Sequence, residues 1–209
     1  VNNFYVQAVV IFMIAAGGLG FMVWVELGEY RKKRRLSLHA KVVLLFSVLL
    51  WLGGAAAIVL MEWSNPATLG PLSVPGKLMA GLFQSVSTRT AGMNTVDLAA
   101  CGPITKLVMS VLQFIGAAPG STGGGVKVTT FAVLFLTIRS VAQGRDDCVI
   151  ANHRIDQKTV YRSLTIITLG ALAALGSAVF VYYNTAGVVS AIDSIFESCS
   201  AFGTVGLSV

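Results

Sequence analysis

The 209 residues are 55% hydrophobic and 11% charged, with a net charge of +6. About a quarter of an ordinary soluble domain is charged, and a single soluble core cannot hide this much apolar surface, so the composition describes a polytopic membrane protein. The excess positive charge does not indicate nucleic acid. It is gathered in two short clusters between apolar segments, Arg31, Lys32, Lys33, Arg34, Arg35 and Lys41, then Arg139, Arg145, Arg154, Lys158 and Arg162, which is the positive-inside pattern of cytoplasmic loops.

Along the chain, Val1 to Val25 is uncharged and leads into Glu26, Glu29 and the first basic cluster. It reads as one transmembrane helix running inward, ending near Tyr30, with a cytoplasmic basic loop at 31–41. Val42 to Met61 is uncharged and long enough to cross the ~30 Å hydrocarbon layer outward. "EWSNPATLGPLSVPGK" follows as an outer loop with Trp63 at an interface position. Leu78 to Val86 is apolar but too short to span, which marks a re-entrant segment. It runs straight into "STRTAGMN", and "DLAACGPITK" is again outside.

Lys106 to Arg139 would be roughly 50 Å long as one helix at ~1.5 Å per residue. Pro119 and the glycines of "GAAPGSTGGGVK" are expected to break it. A polar stretch around 144–160 returns to the basic side, and Ser163 to Tyr183 crosses outward. "NTAGVVSAIDS" lies outside, and "IFESCSAFGTVGLSV" ends the sequence. The first residue is not Met and the last Thr-x-Gly lies three residues from the end, so the sequence reads as a piece of a longer protein.

Two parts of the chain match. Phe83-Gln84-Ser85-Val86-Ser87 resembles Phe196-Glu197-Ser198-Cys199-Ser200, and Thr90-Ala91-Gly92-Met93 resembles Thr204-Val205-Gly206-Leu207 after a gap that differs by one residue. The repeated unit is helix, short re-entrant helix, Thr-x-Gly loop, helix, and a repeat of this kind sets the architecture. Irregular backbone at membrane depth survives only where it lines a water-filled cavity or is buried in protein. A chain leaving a re-entrant helix through Thr-x-Gly can aim successive carbonyl oxygens at one axis, replacing the water around an ion. The hydroxyls of Ser85, Ser87, Thr88 and Thr90 can satisfy local backbone groups. One Thr-x-Gly alone would be an ordinary turn; two in a repeated hydropathy unit indicate an ion path.

"SVSTRTAGMN", "GAAPGSTGGGVK" and "AFGTVGLS" together resemble the third pore loop, the broken third-repeat helix and the fourth pore loop of the Ktr/Trk/HKT potassium transporters, with the KtrB-type membrane subunits most similar. The resemblance covers essentially the whole chain. It implies an all-α integral membrane fold of helix–pore-loop–helix units of the potassium-channel type, four repeats around one path. Residues 1–30 would be the last helix of repeat two, 42–143 repeat three, 144–160 a cytoplasmic loop and 161–209 the first half of repeat four. The filter residues would be Thr88, Arg89, Thr90, Ala91 and Gly92 in one loop and Thr204, Val205 and Gly206 in the other, with K+ held at Thr90, Ala91, Thr204 and Val205. The resemblance further implies a multi-pass protein of the plasma membrane, working as a homodimer. Its partner would be a cytosolic nucleotide-binding regulatory ring of the KtrA/TrkA type. Na+ is a candidate coupling or activating ion, and no organic cofactor is expected.

The strip Gly116, Ala117, Ala118, Pro119, Gly120, Ser121, Thr122, Gly123, Gly124 and Gly125, with Lys127, has two readings. It is a packing kink, or an intramembrane gate of the kind the resemblance implies. It is not a Walker A loop, because Val126 separates Gly125 from Lys127 and Val128 follows the lysine. Lys127 either opposes cation passage in a closed gate or snorkels to the cytoplasmic face. Arg89 and Glu197 either pair with each other, bracing the filter, or each pairs with a residue in the missing repeats, since a buried charge needs a partner. "RKKRR" is a topology signal that can also meet anionic lipid. Cys101, Cys148 and Cys199 show no disulfide or metal spacing, and His39 and His153 have no ligand-like neighbours. No catalytic constellation is visible, so an enzyme is not expected. The alternative to a pore is a secondary transporter with discontinuous helices binding substrate at the midplane.

Overall fold

The computed structural model describes residues 3–144, 149–150, 153–185 and 188–209. Arg145, Cys148 and the side chains of His153 and Arg154 lie outside the described residues. Among the described residues the architecture is helical, apart from a two-residue antiparallel ladder of β1 (Val149–Ile150) and β2 (His153–Arg154).

The first segment is not one helix. α1 (Phe4–Gly18) and α2 (Phe21–Lys33) meet at a bend of 98°, where continuous helix to Tyr30 was expected. Gly20 sits at φ 79, a conformation that glycine adopts at little cost. The backbone groups freed by the break find partners in the distant glycine strip. Ala118 N–H donates to the Gly18 carbonyl at 3.0 Å, and Phe21 N–H to the Gly120 carbonyl at 3.2 Å. Trp24 Nε1 donates to the Ala16 carbonyl at 2.8 Å across the bend. α2 closes on Arg31, Lys32 and Lys33, cations at the negative end of the helix dipole.

α3 (Leu38–Glu62) has 25 residues, starts at the Ser37 cap and is long and apolar enough to cross a membrane. α4 (Val74–Ser87) is the re-entrant helix. It begins four residues before the apolar run at Leu78, because Ser73 caps the Gly76 N–H and Pro75 fits the first turn. Its 14 residues reach only about 21 Å. α5 (Pro103–Phe114) and α6 (Val128–Ala142) are two separate helices on either side of the glycine strip. α7 (Gln157–Asn184), 28 residues, is the second long span, and α8 (Ala191–Phe202), capped by Ser190, is the second short helix.

α3 is the organising axis. One cluster joins it to α2 and α6 through Val23, Val43, Phe46, Ala118 and Val128. Another joins it to α5 and α8 through Ile58, Met109 and Phe196, and takes in Val205 and Leu207 of the second Thr-x-Gly loop. The second loop is therefore held by the same core that holds the helices, which keeps its backbone in place.

Candidate functional site: two Thr-x-Gly loops and the strip beneath them

The two repeated loops have the same local construction. At the end of α4, Ala91 N–H donates to the Ser87 carbonyl at 3.1 Å; at the end of α8, Val205 N–H donates to the Ser200 carbonyl at 2.8 Å. Each serine hydroxyl then reaches across its loop. Ser87 Oγ donates to the Met93 carbonyl and accepts from Met93 N–H at 2.9 Å, while Ser200 Oγ donates to the Leu207 carbonyl at 2.6 Å. The serine of the re-entrant helix thus fastens the residue after the glycine in both copies, and the one-residue difference in the gap is absorbed between them. The hydroxyls of Ser85 and Thr88 also bond to backbone, Ser85 Oγ to the Trp51 carbonyl at 2.8 Å and Thr88 Oγ1 to the Ser85 carbonyl at 2.8 Å. Thr88 is fully buried.

The backbone repeats as closely. Thr90 has φ 106 and Gly92 φ 66; Thr204 has φ 53 and Gly206 φ 86. Arg34 is the one other non-glycine residue with positive φ among the described residues. A β-branched residue in this region is an outlier that costs about 1–3 kcal/mol and persists only where the surroundings impose it. Ala91 and Val205, between each pair, keep negative φ. Alternating handedness turns successive carbonyls toward one side of the chain, whereas an ordinary strand sends them to opposite sides. The loops also meet each other: a Cβ on Gly92 would run into the Val205 carbonyl oxygen. Gly206 has nothing within 4 Å of that position.

The glycine strip lies against both loops. Gly124 N–H donates to Thr204 Oγ1 at 2.9 Å. A Cβ on Gly123 would strike Thr90 and Ala117. The strip is a closed structure, since Gly116 N–H donates to the Val126 carbonyl at 2.8 Å and Val126 N–H to the Phe114 carbonyl at 3.0 Å. These bonds form a parallel bridge at its neck between Ile115 and Val126. Gly116, Ala117 and Ala118 are buried, Pro119 is half-buried, and Gly120 and Thr122 are exposed at the tip. Gly120 and Gly125 both have φ 70, and Ser121 Oγ folds back onto the Ala118 carbonyl at 2.5 Å.

The charged residues take positions that the sequence left open. Lys127 caps α6 and its Nζ donates to the Gly123 carbonyl at 2.5 Å, so it ties the strip to itself. Arg89 is 4% exposed. Its Nη2 donates to the Gly116 carbonyl at 2.8 Å and its guanidinium lies 5.8 Å from the Trp51 ring. Glu197 accepts from Ser208 Oγ at 2.7 Å and Val209 N–H at 2.8 Å. Arg89 and Glu197 are not paired; the ion pairs among the described residues are Lys33–Glu29 and Lys106–Asp193.

Two features went unnoticed in the sequence. Glu62, treated only as the end of a span, is 2% exposed and gathers the loop after α3 and the start of α5. Its Oε1 accepts from Gly102 N–H at 2.9 Å and Thr105 Oγ1 at 2.5 Å; its Oε2 accepts from Asn65 Nδ2 at 2.6 Å and Thr68 Oγ1 at 2.8 Å. A lone carboxylate next to a predicted outer loop carries no pattern that would reveal this. The elbow at Gly20 did carry a signal, the glycines of "GGLG" inside an apolar run, and an isolated glycine cluster of that kind marks a break.

The sequence model of the TrkH family, described as cation transport protein, matches residues 1–209. Ktr system potassium uptake protein B of Vibrio alginolyticus is 40% identical over 195 residues, covering 92% of this chain and 42% of that protein. Ktr system potassium uptake protein B of Bacillus subtilis is 33% identical over 205 residues, covering 98% and 45%. Potassium/sodium uptake protein NtpJ of Enterococcus hirae is 35% identical over 211 residues, covering 100% and 46%. The chain spans about half the length of these curated relatives. The crystal structure of the potassium transporter TrkH from Vibrio parahaemolyticus superposes with a TM-score of 0.70 at 18% identity, over 100% of this chain and 46% of that one, a likeness of fold. With two long apolar spans, two short helices ending in matched loops and a family match from end to end, the chain belongs to the TrkH family of membrane-embedded cation transport proteins.

Proposed function

We propose that this chain supplies two of the filter loops and the gate of a potassium uptake pore. The observation that carries the reading is the left-handed backbone at Thr and Gly of both loops, with the strip touching both threonines. Carbonyls of Thr90, Ala91, Thr204 and Val205 replace water around the ion, and the strip from Gly116 to Gly125, tied by Lys127, obstructs the path beneath them. Thr88 and Arg89 act from behind the first loop, Arg89 by holding the neck of the strip. The names of the relatives supply the ion: two are potassium uptake proteins and one a potassium/sodium uptake protein. Sodium is the candidate coupling or activating ion. Assembly as a homodimer in the plasma membrane with a cytosolic nucleotide-binding ring completes the system, and the basic clusters face the cytoplasm.

Flux through the full-length protein, purified and reconstituted in liposomes, tests the reading. Removing Gly120 to Gly124 raises potassium flux if the strip obstructs the path. Lower flux from an assembled, still selective protein leaves only a packing kink. Gly206→Ser adds a side chain into open space at φ 86, so it strains the loop backbone without a clash and weakens potassium/sodium discrimination. Undiminished discrimination rejects the filter role of that loop.

A further inference from the structure

We infer that the elbow between α1 and α2 positions the glycine strip, and that the backbone N–H of Phe21 is the group that holds its tip. The inference rests on the strip acting as the gate only for its consequence in flux; the positioning itself is read from the contacts.

The strip is anchored at three places. Its neck is closed by its own bridge between Ile115 and Val126. Its inner side is tied to the filter loops, through Gly124 N–H on Thr204 Oγ1 and Arg89 on the Gly116 carbonyl. Its tip, Ala118 to Gly120, is held by the elbow. There the two broken helices exchange backbone bonds: Ala118 N–H to the Gly18 carbonyl at 3.0 Å, and Phe21 N–H to the Gly120 carbonyl at 3.2 Å.

The exchange follows from how helices end. The last carbonyls and first N–H groups of a helix have no partner inside it. At this break α1 offers a carbonyl and α2 an N–H, and the strip presents the complementary pair. The fit is close. A Cβ on Gly20 would sit 2.5 Å from the Pro119 carbonyl oxygen, and one on Gly120 would sit 3.1 Å from the Phe21 ring. Gly20, at φ 79, is therefore needed both for its backbone conformation and for its missing side chain.

Phe21 is the first residue of α2, which allows a selective test. Proline at a helix's first position keeps the required φ. It removes the N–H and puts its Cδ where that hydrogen pointed, against the Gly120 carbonyl oxygen, so it both deletes the bond and displaces its acceptor. The preceding residue already has ψ 147, as a residue before proline prefers. Phe21→Pro therefore deletes the bond to Gly120, and Phe21→Ala, which keeps the N–H and removes the ring, is its reference. Both are made in the full-length protein carrying Thr122→Cys, since Thr122 is an exposed residue near the tip of the strip. The rate of reaction of that cysteine with a soluble maleimide reports the strip's freedom whether or not the strip gates.

Loss of one hydrogen bond shifts a local equilibrium roughly two- to tenfold. Phe21→Pro is expected to raise the labelling rate by about that factor over Phe21→Ala. It is also expected to raise potassium flux similarly, with no further rise once Gly120 to Gly124 are removed, because a residue acting through the strip has nothing left to act on. Equal labelling in the two variants overturns the inference. So does a flux effect of the same size with and without the strip. Faster labelling together with no gain in flux on trimming the strip leaves the positioning standing and rejects the gate. If Phe21→Pro does not assemble, Gly20→Ala, which pushes a Cβ against the Pro119 carbonyl, is measured by the same readouts with the same outcomes.

Discussion

Replacing Glu62 by glutamine removes a charge and almost no volume, and the surroundings determine what that does. Each carboxylate oxygen of Glu62 faces one hydroxyl and one N–H: Thr105 and Gly102 on Oε1, Thr68 and Asn65 on Oε2. A hydroxyl can rotate to accept a bond, but an N–H cannot. Asn65 cannot invert either, because its Nδ2 also donates to the Ala100 carbonyl at 3.0 Å and its Oδ1 accepts from Ala67 N–H at 3.1 Å. Whichever way the new amide turns, its nitrogen faces either the Gly102 N–H or Asn65 Nδ2. One hydrogen bond to a charged acceptor, worth about 1.5–3 kcal/mol, is lost, and a buried donor is left facing a donor. The sum is about 3 kcal/mol, or roughly 100-fold in a local opening equilibrium. Hydrogen exchange at the Gly102 amide of the full-length protein, read by mass spectrometry, should accelerate by about that factor, with a lower melting temperature in detergent. Glu62→Ala should do more. Unchanged Gly102 protection together with an unchanged melting temperature in Glu62→Gln would refute the fourfold acceptor arrangement and the role of Glu62 in joining the loop after α3 to the start of α5.

The matched serines should act in the same direction: Ser200→Ala loses one bond across a strained loop and Ser87→Ala two, at about 1 kcal/mol each, and both should lower potassium selectivity in reconstituted protein more than they lower yield. The Lys106–Asp193 pair, 2.7 Å apart, links α5 to α8, and the bond from Lys106 holds the Asp193 carboxyl below its usual range. A depressed carboxyl stabilises the fold above its unfolded pKa, and that contribution disappears as pH falls through the folded value. Asp193→Asn should therefore cost about 0.5–1 kcal/mol near neutral pH and nothing once acid has protonated Asp193, as thermal melts across pH will show. Burial pushes the Cys101 thiol up to about 12, so at neutral pH its thiolate is scarce and maleimide should label it far more slowly than a cysteine placed at exposed Ala99.

Hydropathy and charge were enough to place the long spans at 42–61 and 163–183, inside the helices 38–62 and 157–184, because the cost of unsatisfied or charged groups in hydrocarbon is large and acts on each segment separately. The repeat was legible for a similar reason: Phe-x-Ser-x-Ser followed by Thr-x-Gly is a local device, with a serine fastening the loop that follows its own helix. The break at Pro119 and its glycines followed from local backbone chemistry.

What depended on distant partners was not legible. "GGLG" permits a bend, but the 98° elbow exists because Gly18 and Phe21 meet Ala118 and Gly120 about a hundred residues on. Arg89 and Glu197 invited a pairing by sign, yet the Gly116 carbonyl and the backbone at Val209 lie nearer to them. The partner of Lys127, the Gly123 carbonyl four residues before it, was set by the fold of the strip. Glu62 was one carboxylate at the end of a helix until the loop after α3 and the start of α5 delivered four donors to it. Periodicity and composition record what each segment requires of its solvent, whereas the partner of a buried polar group is set by which segments the tertiary fold brings together.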